Sequence, residues 1–405
     1  MKLNYLIPLT ITALILTSCD VNDTDDDPVI DEPTTYNFTR DGQSTVSFSG
    51  QTTRIKMGDE LMVSMSDFDT SEESLLEMYR NQTEDGGDAD PWSDEDLNAS
   101  DKSIKSKVAA SRDFFSSNTS LSARIKEDFE TWLSAQVNEV FPNQNELAEP
   151  GKAGQIADGS RERYVSAEGL EYDQLVNKSL IGALMTDQML NNYLSTSVLD
   201  EGSNRDDNDA GNSAEGSSYT NMEHKWDEAY GYIYGTSANP ETPNTTIGQD
   251  DRFLNKYTGQ VSEDDDFSDV ADNIYNAFKL GRAAIVAGEY DIRDEQADII
   301  RENISKVIGV RAVYYLQSGK DKLSDSQESA FHALSEGYGF IYSLQFTRVP
   351  GTDQPYLSHE EVEGLLEDLL GDGPNGLWDV TAETLDAISE EIADQFDFTI
   401  EEVTN

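Results

Sequence analysis

Apolar residues recur every three to four positions through most of this chain, and this spacing restricts its fold more than any other feature. In the clearest case the recurring residues are Leu121, Ile125, Phe129, Trp132, Leu133, Val137 and Val140. Similar stripes occupy residues 170–194, 219–233, 270–285, 292–315, 330–346, 362–370 and 385–396. Because this period places apolar side chains on one face of a helix, each stripe predicts a helix with one buried face. Together they predict a mostly α chain, folded as an antiparallel helical bundle.

A small β-hairpin is predicted before the helices. Residues 36–38 and 44–48 alternate in a period of two around the turn residues Asp41 and Gly42, as paired strands do. Residues 52–57 are expected to continue this pattern, and no further strand is predicted from Glu60 onward.

The chain is strongly acidic, which excludes one class of partner. Its 405 residues include 80 Asp and Glu against 28 Lys and Arg, a formal net charge of −52. Nucleic-acid binding depends on cationic side chains that displace counterions from phosphates, so no nucleic-acid partner is expected. An alternative explanation is that the carboxylates keep the protein soluble in a salty habitat. In that case the acidity gives no information about ligands.

The first residues have the pattern of a lipoprotein signal. Lys2 precedes an apolar run at 6–16 that is too short to span a bilayer, and Ser18 then precedes Cys19, the single cysteine. These residues resemble a bacterial lipobox, which implies cleavage before Cys19 and attachment of lipid to its sulfur. The expected partner is therefore the outer membrane, bound through the lipid. The alternative is a buried apolar cysteine in an uncleaved anchor.

Three parts follow from this pattern: a signal peptide at 1–18, an acidic tether at 19–35, and the helical-bundle domain with its hairpin at 36–405. Five acidic residues lie within 20–27 without any hydrophobic pattern, which is typical of an extended, solvated segment. A cysteine followed closely by acidic residues is also similar to the signal that sends Bacteroidota lipoproteins to the outer face of the outer membrane. Exposure at the cell surface is therefore expected.

The chain has three histidines, and each has a glutamate four residues later. On a helix this spacing puts the imidazole and the carboxylate on one face. His359 follows Ser358, which forms a capping box with Glu361 at the start of an apolar run. We therefore place His359 in an exposed first turn and set it aside as a ligand.

The other two pairs, His224 with Glu228 and His332 with Glu336, form a candidate metal site. If their helices are neighbours in the bundle, two imidazoles and two carboxylates converge on a site that suits iron or another divalent metal. Further candidate oxygen ligands are Asp187, Glu168 and Asp173, the last two explained equally well as solvated side chains. The alternative for the whole set is a pair of half-buried histidines that carboxylates satisfy within the core.

Other motifs indicate structure rather than chemistry. Lys178 and Arg282 are scarce cations within apolar stripes, and we expect them to neutralise buried carboxylates. Residues 206–211 begin like a calcium loop but lack the later ligands, so they predict a solvated loop. Glycines at 371, 373 and 376 match a dinucleotide pattern, yet they follow a helix and include Pro374, which predicts a turn. Common protease, P-loop and hydrolase signatures do not occur, and catalysis is not expected.

Several segments carry a family resemblance. They are YNFTRDGQSTVSFSGQTTRIKM (36–57), EYDQLVNKSLIGALMTDQ (171–188), HKWDEAYGYIYG (224–235), NAFKLGRAAI (276–285) and SEGYGFIYSLQF (335–346). They resemble a domain-of-unknown-function family of Bacteroidota cell-surface lipoproteins that is distantly similar to imelysin, an iron-regulated helical-bundle family. The resemblance implies two bundle halves and a link to iron or haem acquisition. The Gly-x-His-x-x-Glu motif of imelysin-like proteins does not occur, so iron binding is not carried over by motif.

Three functions remain open from the sequence. The first is a non-catalytic surface lipoprotein that binds iron, haem or a related nutrient, with outer-membrane uptake proteins as partners. The second is a structural or protein-interaction lipoprotein without a metal site, which a large exposed apolar patch would favour. The third and weakest is a metal-dependent peptidase.

Overall fold

A computed structural model describes residues 30, 32–157 and 162–404. The predicted signal peptide, Cys19 and most of the acidic tether lie outside these residues. The α-helices of the described part, in chain order, are α1 (Ser49–Ser64), α2 (Glu72–Arg80), α3 (Glu95–Asn98), α4 (Arg112–Phe115), α5 (Thr119–Ala135), α6 (Tyr172–Leu180), α7 (Thr196–Leu199), α8 (Asn204–Asp209), α9 (Asn221–Tyr234), α10 (Leu254–Ser262), α11 (Val270–Ala287), α12 (Tyr290–Lys322), α13 (Gln327–Ser343), α14 (His359–Leu370), α15 (Ala382–Phe396) and α16 (Ile400–Thr404). Wide π-helical turns extend α5 and α6, over Gln136–Val140, Ile181–Thr186 and Met189–Tyr193. The prediction of a mostly helical chain is confirmed.

Helix α12 is the centre of the molecule. Its 33 residues span about 50 Å at the rise of an α-helix. It packs most extensively against α13, α11 and α15, and α13 packs in turn against α6 and α14. Ile304, Val307, Ile308 and Leu316 are fully buried along α12, so this helix forms a common core with helices on several sides. Within the described residues, no helix combines the length and apolar character needed to cross a bilayer.

The predicted N-terminal strand pair is present, but it is shorter than expected. Strands β1 (Thr39–Arg40) and β2 (Gln43–Ser44) pair antiparallel. Asp41 and Gly42 connect them with positive φ angles of 52° and 77°, as a two-residue hairpin turn requires. The expected continuation at 52–57 is wrong, because those residues lie in α1. Buried positions there recur at helical spacing, at Gln51, Arg54, Ile55, Gly58, Leu61 and Met62.

Two further expectations are corrected by the structure. A second antiparallel pair, β3 (Gly154–Ala157) and β4 (Glu162–Val165), lies beyond Glu60, where no strand was expected. Residues 206–211 were expected to form a loop, but most of them lie in α8. The Asn208 side chain donates to the Ile285 carbonyl at 2.6 Å and accepts from Thr220 Oγ1 at 2.8 Å. Contacts distant in sequence therefore hold this polar helix, and local pattern gives no sign of them.

A buried ion network fixes the hairpin to the bundle. Arg282 on α11 is fully buried and binds Glu223 at 3.0 Å and Asp227 at 3.1 Å, both on α9. Asp227 also accepts from Tyr36 Oη at 2.7 Å and from the Ser47 backbone N–H at 3.1 Å. The expectation that Arg282 neutralises buried carboxylates is confirmed.

Candidate functional site

A cavity of about 860 Å³ lies between α10, α12 and α13, and we call it the interhelical cavity. Arg311, Tyr314, Tyr315 and Ser318 line it from α12, His332 and Glu336 line it from α13, and Gln260 lines it from α10. Four consecutive acidic residues after α10, Glu263 to Asp266, also line it, and we call them the acidic rim. Spacings of three and four residues on α12 and α13 bring these polar side chains to one face of each helix.

Glu336 is held as a carboxylate in the wall of the cavity. Its Oε1 lies 3.0 Å from Lys178 Nζ on α6, and both side chains are buried. Tyr257 Oη donates to the same oxygen at 3.3 Å. Burial raises the pKa of Glu336, but the charges of Lys178 and His332 outweigh it and hold that pKa below its usual value. Lys178 therefore neutralises a buried carboxylate, as its sequence context predicts.

His332 connects Glu336 to a second polar group behind it. Its Nε2 lies 3.6 Å from Glu336, while its Nδ1 lies 3.0 Å from Glu171 and 2.7 Å from Arg163 Nη1. A single ring nitrogen either donates or accepts a hydrogen bond. If Nδ1 of His332 carries a proton, it donates to Glu171; if it does not, it accepts from Arg163. Burial raises the pKa of Glu171, although His332 acts in the opposite direction.

Arg311 has the most unusual environment in the cavity. It is 7% exposed, and its guanidinium carbon lies 4.2 Å from the ring centre of Tyr314, 4.5 Å from Tyr315 and 5.2 Å from Tyr257. Its Nε is buried without a hydrogen-bond partner. Within the described residues it forms no ion pair, whereas Arg282, Arg293, Arg301 and Arg348, which are buried to a similar extent, each form at least one. Arg54 is also buried without an ion pair, but its guanidinium donates to the backbone carbonyls of Ser103 and Gly50.

The other predicted pair lies among different neighbours. His224 Nδ1 lies 3.0 Å from the Ser47 carbonyl oxygen, and its ring stacks on Tyr219 at 4.5 Å. Burial lowers the pKa of His224, which favours a neutral ring. Glu228 binds Lys225 at 2.7 Å and accepts from Gln51 Nε2 at 3.1 Å. Its carboxylate is thus occupied by the chain itself.

The four predicted ligands are not assembled as a metal centre in the part of the chain that the structure describes. No group of three or more His, Cys, Asp or Glu side chains there is arranged to hold a metal ion. The further candidate Asp187 is fully buried and accepts from the backbone N–H groups of Ala110 and Ser111 at 3.0 and 2.9 Å. It therefore fixes a loop. The metal role of these residues stays a prediction from sequence.

His359 and the C-terminal glycines are placed much as expected. Ser358 and Glu361 form the predicted capping box, and His359 begins α14. The expected exposure of His359 is wrong, because its side chain is 22% exposed and its Nδ1 lies 2.8 Å from Gln345 Oε1. Gly371 and Gly376 have φ angles of 69° and 58° after α14, as a turn requires.

Sequence reasoning missed Arg311, Tyr257 and Arg163. A signal for Arg311 was available, since it is a cation within the apolar stripe at 292–315, as Lys178 and Arg282 are in theirs. That its neighbours are three tyrosines rather than a carboxylate depends on packing between α10 and α12.

Two other cavities have weaker claims to be the site. One of about 600 Å³ lies between the hairpin and α1, and none of its described side chains is a buried polar group without a partner. Another of about 360 Å³ is lined by Trp132, Tyr338 and Tyr342. Its His359 Nε2 has no hydrogen bond but lies 3.4 Å from Glu363. Of these three cavities, and within the described residues, only the interhelical cavity is lined by a buried arginine that has no ion-pair partner.

Fold and cavity together define the class, which is a mostly helical chain with a polar, tyrosine-lined pocket between its helices. The chain belongs to the family described as Domain of unknown function (DUF4856), whose model matches residues 33–399. The predicted resemblance to such a family is confirmed. No curated protein and no solved structure matches the chain.

Proposed function

We propose that this protein is a lipid-anchored lipoprotein of the outer-membrane surface that binds a small polar molecule in the interhelical cavity, without catalysis, as a step in nutrient uptake. The observation that carries the proposal is the cavity itself. Its volume of about 860 Å³ lies within the range of small-molecule sites. Polar side chains from three helices converge on it beside the rings of Tyr314 and Tyr315, and convergent polar groups of this kind orient a bound ligand.

A metal ion is not the proposed cargo. The side chains that sequence singled out in this cavity are already engaged, since Glu336 binds Lys178 at 3.0 Å and His332 Nδ1 lies between Glu171 and Arg163. A metal ion that bound here would have to displace Lys178 from Glu336 and Arg163 from Glu171. The donor set therefore fits an organic molecule better than iron.

A protein-interaction role lacks the surface that would favour it. The exposed large hydrophobic side chains of the described residues are Val63, Leu147, Val286, Ile299 and Tyr314. They are distributed over α1, α11, α12 and a loop, and a few exposed apolar side chains are found on most proteins. The cavity is the stronger basis for a function.

Occupation of the cavity is tested with Ser318→Phe. Ser318 is half-buried in the cavity wall, so a phenyl ring there fills the space without disturbing the core. Ser120→Phe, at an exposed position of α5, is the matched control. After incubation with the small-molecule fraction of the host's growth medium, native mass spectrometry should show a bound compound on the wild type and the control only. No bound compound on the wild type, or equal binding by Ser318→Phe, contradicts the proposal.

The anchor is tested separately. The pattern around Cys19 supports lipid attachment, so Cys19→Ser should abolish incorporation of labelled palmitate and release the protein from the membrane fraction. Protease added to intact cells should degrade the wild type if the chain faces outward. Protection of the wild type in intact cells, with digestion only after lysis, contradicts surface exposure.

A further inference from the structure

We infer that Arg311 receives the single carboxylate of a small ligand whose remaining groups are hydrogen-bond donors; this assignment rests on the proposed ligand-binding function of the interhelical cavity. A buried guanidinium without a direct ion pair is costly, and folded proteins normally pair it. The charge of Arg311 helps to lower the pKa of Glu336 across the cavity, but that carboxylate is bound by Lys178. Here the chain has 80 acidic residues and none of the described ones pairs with Arg311. Its Nε is enclosed without a partner, and because Arg311 lines the cavity, its remaining donors face that space.

The cage of tyrosines prepares Arg311 for an anion. Three rings lie within 5.2 Å of its guanidinium carbon, and cation–π contacts of this kind hold the guanidinium in place without using its N–H donors. A planar guanidinium matches a carboxylate through two parallel hydrogen bonds. The geometry is therefore that of a receptor for a planar carboxylate.

The acidic rim selects against a second negative charge. Glu263, Asp264, Asp265 and Asp266 line the same cavity, and like charges at its edge disfavour a phosphate dianion more than a carboxylate monoanion. Lys322 is a cation of the rim, but its Nζ donates to Ser318 Oγ at 2.8 Å.

Several other groups of the cavity accept hydrogen bonds. Gln260 Oε1 is buried without a partner, and the rim carboxylates, when ionised, accept hydrogen bonds and donate none. A ligand body with hydroxyl or ammonium groups satisfies them, and Tyr314, which is 39% exposed, offers a ring face for it. Sugar acids and amino acids both have this chemistry, a carboxylate joined to a body of donors.

Calorimetric titration of the full chain tests the assignment with matched probes. Glucuronate and serine represent the two sources of the carboxylate, the methyl ester of glucuronate removes its charge, and glucose 6-phosphate replaces it with a phosphate. We expect at least one carboxylate to bind, and the matched ester and phosphate to bind about tenfold more weakly or worse.

Substitutions at Arg311 then identify the receptor. Arg311→Gln should weaken binding of the carboxylate about tenfold or more and leave binding of the ester unchanged, while Arg311→Lys, which keeps the charge but loses the fork, should restore it only in part. Arg112→Gln removes a cation at an exposed site that pairs with Glu201, and it should bind as the wild type does. Circular dichroism melting shows that each variant is folded.

Three results overturn the assignment, and they separate it from the proposed function. If the carboxylate and the ester bind equally and Ser318→Phe blocks both, the cavity binds a ligand but Arg311 does not read its charge. If the carboxylate binds equally to the wild type and to Arg311→Gln, Arg311 is a structural residue. If none of the four probes binds, the assignment is overturned, and the Ser318→Phe experiment decides on its own whether the cavity binds anything.

Discussion

At the scale of single residues, this molecule is organised by the few cations that its acidic sequence contains. Arg282 joins two carboxylates of α9 to the hairpin, and Lys178 joins α6 to Glu336 on α13. Both are buried, so removing either cation takes the counter-charge from a buried carboxylate, Asp227 in one case and Glu336 in the other, a change that costs several kcal/mol in comparable buried pairs. Arg311, in contrast, is buried in the cavity wall without an ion pair to any described residue.

Asp187 gives the stability of the protein a defined dependence on pH. Burial raises its pKa from 3.8 to about 6, against the hydrogen bonds from Ser111 and Ala110 that lower it. Between these two values the folded state keeps a proton that the unfolded state loses, so the contribution of Asp187 to stability falls as pH rises from about 4 to 6 and then stays constant.

Asp187→Asn removes this effect. We expect no change in the free energy of unfolding near pH 4 and a gain of about 2–3 kcal/mol at pH 8, measured by urea denaturation. The exposed Asp88→Asn serves as control, because it removes a charge without removing a buried carboxylate. Equal effects of the Asp187 variant at both pH values would show that Asp187 is not the group responsible.

Sequence predicts the chemical type of a buried residue better than its partner. The positions of Lys178 and Arg282 in apolar stripes were enough to predict that they neutralise carboxylates, and Ser358 to Glu361 was enough to predict a cap. The partners of His332 could not be predicted, because Glu171 and Arg163 lie 161 and 169 residues away in sequence. The tyrosines around Arg311 could not be predicted either, because Tyr257 lies on α10 whereas Tyr314 and Tyr315 lie on α12.

At the scale of elements, long helices were predictable, whereas the extent of the first strand pair and the existence of the second were not. A helix such as α12 repeats its period many times, so an error at one position leaves the pattern intact. Strands β1 and β2 have two residues each and β3 and β4 have four, too few for alternation to be distinguished from chance. The polar helix α8 was missed because it has no apolar face. The contacts of the Asn208 side chain hold it in place instead.

The crossing of α6 and α13 depends on a glycine. A Cβ at Gly339 would lie 2.5 Å from Lys178 Cβ and 2.8 Å from the Leu175 carbonyl oxygen, so Gly339→Ala forces the two helices apart. We expect a loss of about 1–3 kcal/mol in the free energy of unfolding. Because Lys178 holds Glu336 in the cavity wall, the same variant should weaken ligand binding.

Gly364→Ala is the matched control for this crossing. Gly364 also lies within a helix, α14, but a Cβ there meets no atom within 4 Å. The substitution should therefore stabilise the protein by up to about 1 kcal/mol through helix propensity alone. Urea denaturation of both variants gives the comparison, and a loss of stability of the same size in both would mean that close packing at Gly339 is not the cause.

At the scale of the whole molecule, the sequence predicts the class of fold but not its arrangement. The packing of α12 against α11, α13 and α15 requires knowing which apolar faces meet, and every stripe in the sequence offers a similar face. Two bundle halves and a likeness to imelysin stay predictions. For the same reason the proximity of His332 to Arg311, which lie on different helices, was not foreseen, although both residues lie in predicted stripes.

The net charge of −52 makes the folded state sensitive to salt. Like charges held close on a compact surface repel one another more than in the extended chain, and salt shortens the range of this repulsion from about 10 Å at 0.1 M to about 3 Å at 1 M. The melting temperature should therefore rise steadily from low to 1 M NaCl. Exposed pairs such as Lys102 with Asp101 weaken in salt, but each contributes at most about 1 kcal/mol, and the buried Arg282 network is screened much less.

Choline chloride at equal ionic strength should give a similar rise in the melting temperature, because screening does not depend on which cation supplies it. A rise with NaCl alone would mean that sodium binds specifically, and a fall with both salts would mean that surface ion pairs, rather than net repulsion, dominate the electrostatics of the molecule.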